Sequence, residues 1–248
     1  MENSFLVGLS QQMATNRAME VIANNLANLS TPAFKRESIQ FEQYVVPVQA
    51  TEAEAGDTVN VSFVFDRGVS RDLSEGRFEQ TGSTLDMAIA GAGYFVVQTP
   101  DGERYTRNGH FKLDNQGRLV TDDGYEVQSD GGPITLDPQE GDLRVGNDGT
   151  LSTDRQLLGK IRVVTFADER ALKKSGASLY DAAGQAAQAA PQSGVRQGFI
   201  ERSNVEPVIE ISRMIEIMRA YQASADLTKS GEDLLKQAIE KIGSIPTA

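Results

Sequence analysis

No cysteine and no tryptophan occur among the 248 residues. The first absence removes disulfides, thiolate nucleophiles and thiolate metal sites together. It also suits a chain that folds late, in an oxidising compartment. His110 is the only histidine, which leaves little from which to build a zinc centre. Positive charge is scarce as well: 24 Lys and Arg against 35 Asp and Glu give a net charge of −11. With no basic cluster, nucleic acid and anionic membrane are excluded as partners. No apolar run approaches the ~20 residues of a spanning helix, so membrane insertion is not expected. Met1-Glu2-Asn3-Ser4 has no basic character and no apolar stretch follows. No cleaved leader is therefore expected, and export would have to read the N-terminus without removing it.

Hydrophobic residues make up 39% of the chain and the mean hydropathy is −0.35. That is little apolar material for one compact globule of this length, and it predicts a part of the chain that is elongated or that buries its apolar face only against neighbours. The two ends carry helical patterns. Residues 4–29 contain only Gly8 as a breaker, with Leu6, Leu9 and Met13 in one apolar row and Met19, Ile22, Leu26 and Leu29 in another. Ser30-Thr31-Pro32 ends this helix, because a residue before proline avoids the α region. Within it, Asn24, Asn25 and Asn28 stand where a mediocre helix former is unexpected, and Asn24 and Asn28 share a face. Such amides need partners from another element or another chain.

The C-terminal pattern is longer. Ser203 and Glu206 have capping-box spacing, Asn204 is an alternative cap, and Pro207 suits a first turn. From Ile211 a heptad runs through Met214, Met218, Tyr221, Ala225, Thr228, Glu232, Leu235, Ile239 and Ile242. A helix over 205–242 would be roughly 55 Å long at about 1.5 Å per residue. That exceeds what a small β-domain covers, so it needs partners.

Between the helices the pattern is extended. Gln40 to Val48 and Val59 to Phe65 read as strands, and the acidic stretch Thr51 to Asp57 reads as a flexible link. From residue 71 to 180, short strands alternate with turn signals about every ten residues, as in an all-β module. Phe111 to Leu119 and Leu143 to Leu151 each read as strand, glycine-containing turn, strand. Residues 182–194, rich in Ala, Gln and Gly, read as a loop.

Chemistry is sparse. Gly91-Ala92-Gly93 lacks the third glycine and following helix of a dinucleotide fingerprint, and close backbone packing is the reading. Asp114 to Gly117 and Asn147 to Gly149 lack the closing Glu of a calcium loop and read as hairpin turns. Asp86 has no matched carboxylate and is expected to bond a backbone amide. His110 reads as an exposed turn residue. No catalytic, cofactor or metal site is predicted. A β-domain enzyme with helical arms would need convergent ionisable groups near His110 or Asp86. A coiled-coil adaptor would instead form a small closed oligomer.

Three ordered segments carry a resemblance. Ala23-Asn24-Asn25-Leu26-Ala27-Asn28 with Thr31 and Phe34 is similar to the N-terminal signature of the rod and hook axial proteins of the bacterial flagellum. In that signature glycine commonly precedes the Phe; here the residue is Ala33. The stretches Gly82 to Phe95 and Tyr105-Thr106-Arg107-Asn108-Gly109-His110-Phe111 resemble the family's middle region. Glu201-Arg202-Ser203-Asn204-Val205, Met214-Ile215 and Arg219-Ala220-Tyr221 resemble its end. The length and the stretch Phe65 to Asp72 look most like a proximal rod subunit, with the distal rod subunit as the alternative.

The resemblance implies an α+β fold. Long N- and C-terminal helices would form a paired, coiled-coil-like layer around a central all-β domain. The expected division is an N-terminal helix in 1–33, an extended connector in 34–70, the β-domain in 71–196 and the C-terminal helix in 197–248. It implies a structural subunit of the basal-body rod, spanning the periplasm, that transmits torque and encloses the export channel. Its partners would be further copies of itself, other rod proteins and the flagellar type III export apparatus. No cofactor is expected. The expected assembly interface is Leu9, Met13, Ile22, Asn24, Asn25, Leu26, Asn28, Ile211, Met214, Met218, Tyr221, Leu235 and Ile239.

Overall fold

A computed structural model describes residues 2–49, 58–137, 141–176, 178–190 and 193–243. The chain divides into two units. One unit gathers the chain up to Ala27, Glu37–Arg71 and the chain from Glu206; the other joins Asn28–Arg36 to Asp72–Val205.

The first unit is two helices and a hairpin: α1 (Glu2–Ala27), β1 (Glu37–Gln49), β2 (Thr58–Arg71) and α2 (Pro207–Gly243). Over the stretch expected to be an extended connector, β1 and β2 pair antiparallel from Glu37 opposite Arg71 to Gln49 opposite Thr58. Their β-branched residues suit a pleated ribbon. The pairing joins residues on both sides of the acidic stretch Thr51 to Asp57, which lies outside the described residues. A bulge falls between Gln40 and Phe41, where Gly68 takes a φ of 115°.

Two helix boundaries differ from expectation. α1 stops at Ala27, so Asn28 lies in a turn and does not share a helical face with Asn24. The Asn28 Oδ1 accepts from the Thr31 hydroxyl at 3.1 Å and its carbonyl accepts from the Thr31 N–H at 3.2 Å. A side chain that closes its own turn ends the helix there. The predicted capping box does not form either. The Ser203 hydroxyl accepts from the Val205 N–H at 3.3 Å, Asn204 bonds elsewhere, and α2 opens directly on Pro207, whose missing N–H costs nothing in a first turn.

The two helices of this unit run antiparallel. The Ser224 hydroxyl donates to the Gly8 carbonyl at 3.3 Å, and Gln12 donates to the Thr228 hydroxyl at 3.2 Å. At the other end Asn25 donates to Glu210 at 2.9 Å. A Cβ on Gly8 would stand 3.0 Å from the Thr228 Oγ1, so glycine is what admits this close approach. From that register the last ten or so residues of α2 run roughly 15 Å past the start of α1, at about 1.5 Å per residue.

The second unit is β-rich. Its main sheet has the order Lys173–Lys174, Leu179–Asp181, Gly102–Thr106, Tyr94–Thr99, Glu126–Ser129, Leu119–Thr121, Phe111–Leu113. Tyr94–Thr99 is covered on both faces. Phe95 and Val97 enter one core with Met87, Phe111, Leu119 and Leu151, while Tyr94 and Val96 enter a second with Tyr105, Phe166 and Tyr180. Side-chain alternation along one strand thus serves two cores. The predicted hairpin turn at Asp114 forms: its carboxylate accepts from the Gln116 and Arg118 N–H groups at 2.8 and 2.9 Å, and Gly117 has a φ of 76°. The residues read as a loop over 182–194 include a short strand, Gln188–Ala189, paired with Val163–Thr165.

Ala33, where the resembling family commonly has glycine, holds a φ of 56° and is buried. An L side chain there costs about 1–2 kcal/mol. Ala33→Gly is therefore expected to leave stability unchanged or raise it by up to about 1 kcal/mol, whereas the same exchange inside a helix costs about that much. Chemical denaturation checks this. A loss near 1 kcal/mol would mean that burial of the methyl group outweighs the strain.

Candidate assembly interface and buried ion network

In the helical unit, Asn25 reaches across from α1 to α2. It is 0% exposed and all three of its side-chain bonds are internal. Its Nδ2 donates to the Glu37 carbonyl at 2.8 Å and to the Glu210 carboxylate at 2.9 Å, while its Oδ1 accepts from the Glu37 N–H at 2.9 Å. Asn24 donates to the Glu37 carboxylate at 2.9 Å. Glu210 is 1% exposed and also accepts from Arg213 at 3.0 Å, one turn on along α2.

The predicted apolar interface residues fall into distinct environments. Ile22 is buried, Leu26 and Met214 are half-buried, and Leu9, Met13, Ile211, Met218, Tyr221 and Ile239 are exposed. The side chain of Leu235 lies outside the described residues. The line of α2 that meets α1 is marked by Glu210, Ser224 and Thr228. At 3.6 residues per turn, Ile211, Ile215 and Met218 lie to one side of that line. Leu227 and Leu234, seven apart and further along, lie to the other side. All five are exposed.

In the β-rich unit, three charged side chains are buried together: Lys35 at 3%, Arg107 at 4% and Glu201 at 1% exposure. The Glu201 Oε1 accepts from Lys35 Nζ at 2.7 Å and from the Gly76 N–H at 2.9 Å; its Oε2 accepts from Arg107 Nε at 2.9 Å. Lys35 also donates to the Ser74 carbonyl at 2.7 Å. Arg107 also donates to the carbonyls of Gly91 and Gly93, at 3.1 Å each, and of Ile89 at 3.3 Å, and its Nη2 lies 3.7 Å from the Glu75 carboxylate. Burial pushes the Glu201 carboxyl up, but Arg107 and Lys35 overcome this and hold it below the ordinary glutamate range. Burial lowers Lys35, and the attraction of Glu201 only partly offsets it.

Around this network the chain segments after α1 and before α2 are stitched together. The Ala33 N–H donates to the Glu201 carbonyl at 2.7 Å, and the Arg36 N–H donates to the Asn204 Oδ1 at 2.7 Å. Asn204 Nδ2 donates to the carbonyls of Asp72 and Ser74 at 2.9 and 3.1 Å.

Asp86 departs from expectation. Its buried carboxylate accepts from the Thr81 hydroxyl at 2.6 Å and shares a 2.7 Å hydrogen bond with His110 Nδ1. His110 is exposed as predicted, but it sits in a β-bridge opposite Asp86 and not in a free turn. Its Nε2 faces the Asp122 carboxylate at 3.8 Å, where a nucleophilic triad would need a hydroxyl. Among the described residues no His, Asp and Glu cluster is arranged to hold a metal ion, and no helix is long and apolar enough to cross a membrane.

These features describe a subunit with exposed apolar rows beside its helix pair and buried charges that join its chain segments. Comparison with known proteins gives the family. Residues 5–35 match the family described as flagella basal body rod protein, residues 88–153 the flagellar hook protein FlgE/F/G D1 domain, and residues 196–241 the flagellar basal body rod FlgEFG protein C-terminal region. The chain is 39% identical to the flagellar basal-body rod protein FlgF of Caulobacter vibrioides, covering 99% of this chain and 100% of that one. It is 34% identical to the protein of the same name from Mesorhizobium japonicum over 98% and 99% of the two chains. It is also 34% identical to the flagellar basal-body rod protein FlgG of Bacillus subtilis over 96% and 98%. The chain belongs to the flagellar basal-body rod protein family, and it is a structural rod subunit, not an enzyme.

Proposed function

We propose that the chain takes the position of its FlgF relatives, in the proximal part of the rod. There its terminal helices form a coiled-coil-like inner layer around the export channel, and the assembled rod transmits torque. Delivery by the type III export apparatus fits a chain without cysteine. Its neighbours are further copies and other rod subunits.

The observation that carries the assembly reading is the pair of exposed apolar rows on α2. They lie on opposite sides of the line facing α1. A two-fold contact covers one patch with itself, whereas two different patches call for a heterologous contact. Repeated without closing, such a contact gives a helical array. Ile215→Asp and Leu227→Asp are each expected to abolish motility and rod completion. Both sites are exposed, so the stability of the free subunit should change by no more than about 0.5 kcal/mol. Normal rods from either variant would overturn the heterologous reading.

The similarity to a FlgG sequence supports the distal position as the second reading. Complementation separates the two: rescue of a strain lacking FlgF, and not of one lacking FlgG, is the expected result.

A further inference from the structure

We infer that Asn25 and Glu210 are the register lock of the helical unit: one buried amide sets how far α2 stands along α1. The two residues are 185 positions apart in sequence, yet each is almost fully enclosed and each holds the other. Two further hydrogen bonds between the helices come from hydroxyl and amide groups of part-buried side chains. These tolerate displacement, because water can replace a lost partner. Asn25 cannot be displaced so easily. Its remaining two bonds pin it to both backbone groups of Glu37 at the start of β1. A one-turn slip of α2 would bring Met214 to the level of Asn25. The amide would then lose its acceptor in a site closed to solvent, and the Glu210 carboxylate would lose its enclosed donor.

The same lock sets the axial offset between the apolar rows of α2 and the exposed Leu9 and Met13 of α1. That consequence rests on the assembly reading above; the lock itself does not. A polar side chain that fixes helix register is a known use of buried amides in apolar seams.

The absence of cysteine supplies a clean assay. A Cβ at Gly8 would stand 3.0 Å from the Thr228 Oγ1, within the reach of a disulfide in the observed register only. The full-length double variant G8C/T228C should therefore cross-link readily under mild oxidation. Adding N25D sets a carboxylate against that of Glu210, and should lower the cross-linked fraction at least severalfold. Adding E210Q to N25D returns an N–H donor to the pair and should restore part of it, the bond to the Glu37 carbonyl staying lost. The lock is overturned if the cross-link fails to form in the otherwise unchanged chain, if N25D leaves it intact, or if the N25D/E210Q combination does no better than N25D alone. Because the assay reads the free subunit, its failure is distinct from failure of the rod-assembly variants.

Discussion

Glutamine in place of Glu201 is expected to lower the stability of the β-rich unit by about 3–5 kcal/mol, the usual effect of removing one partner from a buried ion network. The exchange is nearly isosteric, so the loss comes from charge. Lys35 and Arg107 would remain enclosed, facing a neutral amide whose N–H₂ group must point at one of two cations. Denaturant melts followed by tyrosine emission suit a chain without tryptophan, and a loss below about 1 kcal/mol would contradict the prediction.

The same network predicts an acid limb. The Glu201 carboxyl is held below its ordinary value of 4.5 in the folded state. Its contribution is therefore present above that value and is lost as the pH falls through the lower folded-state value. Stability should decline below about pH 4.5, and the decline should be shallower in Glu201→Gln. Lys35 acts with the opposite bias. Its folded-state value lies below 10.5, so the unfolded chain binds the extra proton between the two values and stability rises with pH across that window.

Alanine in place of Gly109 is expected to be the other severe change. A Cβ there would lie 1.6 Å from the Met87 carbonyl oxygen and 3.1 Å from the Phe95 ring. The same carbonyl-bearing segment is held by the Met87 N–H, which donates to the Gly109 carbonyl at 2.9 Å. Relief would require moving backbone inside the core that contains Met87, Phe95 and Phe111. The cost is expected to reach or exceed the ~3 kcal/mol at the upper end of ordinary overpacking. Loss of soluble protein, or a fall in the denaturation midpoint of that size, is the expected result. A variant within 1 kcal/mol of the parent would show that the two segments can separate locally, at roughly the cost of an ordinary core adjustment.

Much of the architecture is local, and so it is legible in the residue pattern. The helical periodicity of the two ends, proline after the first helix and at the start of the second, and the turn residues of Asp114 to Gly117 act over a few residues. Asn28 shows where this reading stops. Its spacing from Asn24 fits a shared face, but the hydroxyl of Thr31 offers a nearer partner and the helix ends first. The heptad from Ile211 is equally real in sequence, yet Glu210 and Ser224, which lie outside it, join its Thr228 in marking the line that meets α1. A partner's small residue, Gly8, determines which face can approach.

The functional groups divide in the same way. Composition leaves no thiol, and three ordered signatures are enough to indicate the family. Asn25 was visible among the asparagines, but its importance over Asn24 depends on Glu210, which arrives 185 residues later. Lys35, Arg107 and Glu201 lie within or beside the signature segments and carry no periodic pattern. Charged residues ordinarily read as surface, and only long-range pairing encloses these three together. The helical ends and the β-rich middle are written in the residue order, because periodicity and turn chemistry depend on neighbours in the chain. The tertiary structure decided which asparagine locks the helices, which apolar rows stay uncovered and which charges are buried, because those depend on partners far away in it.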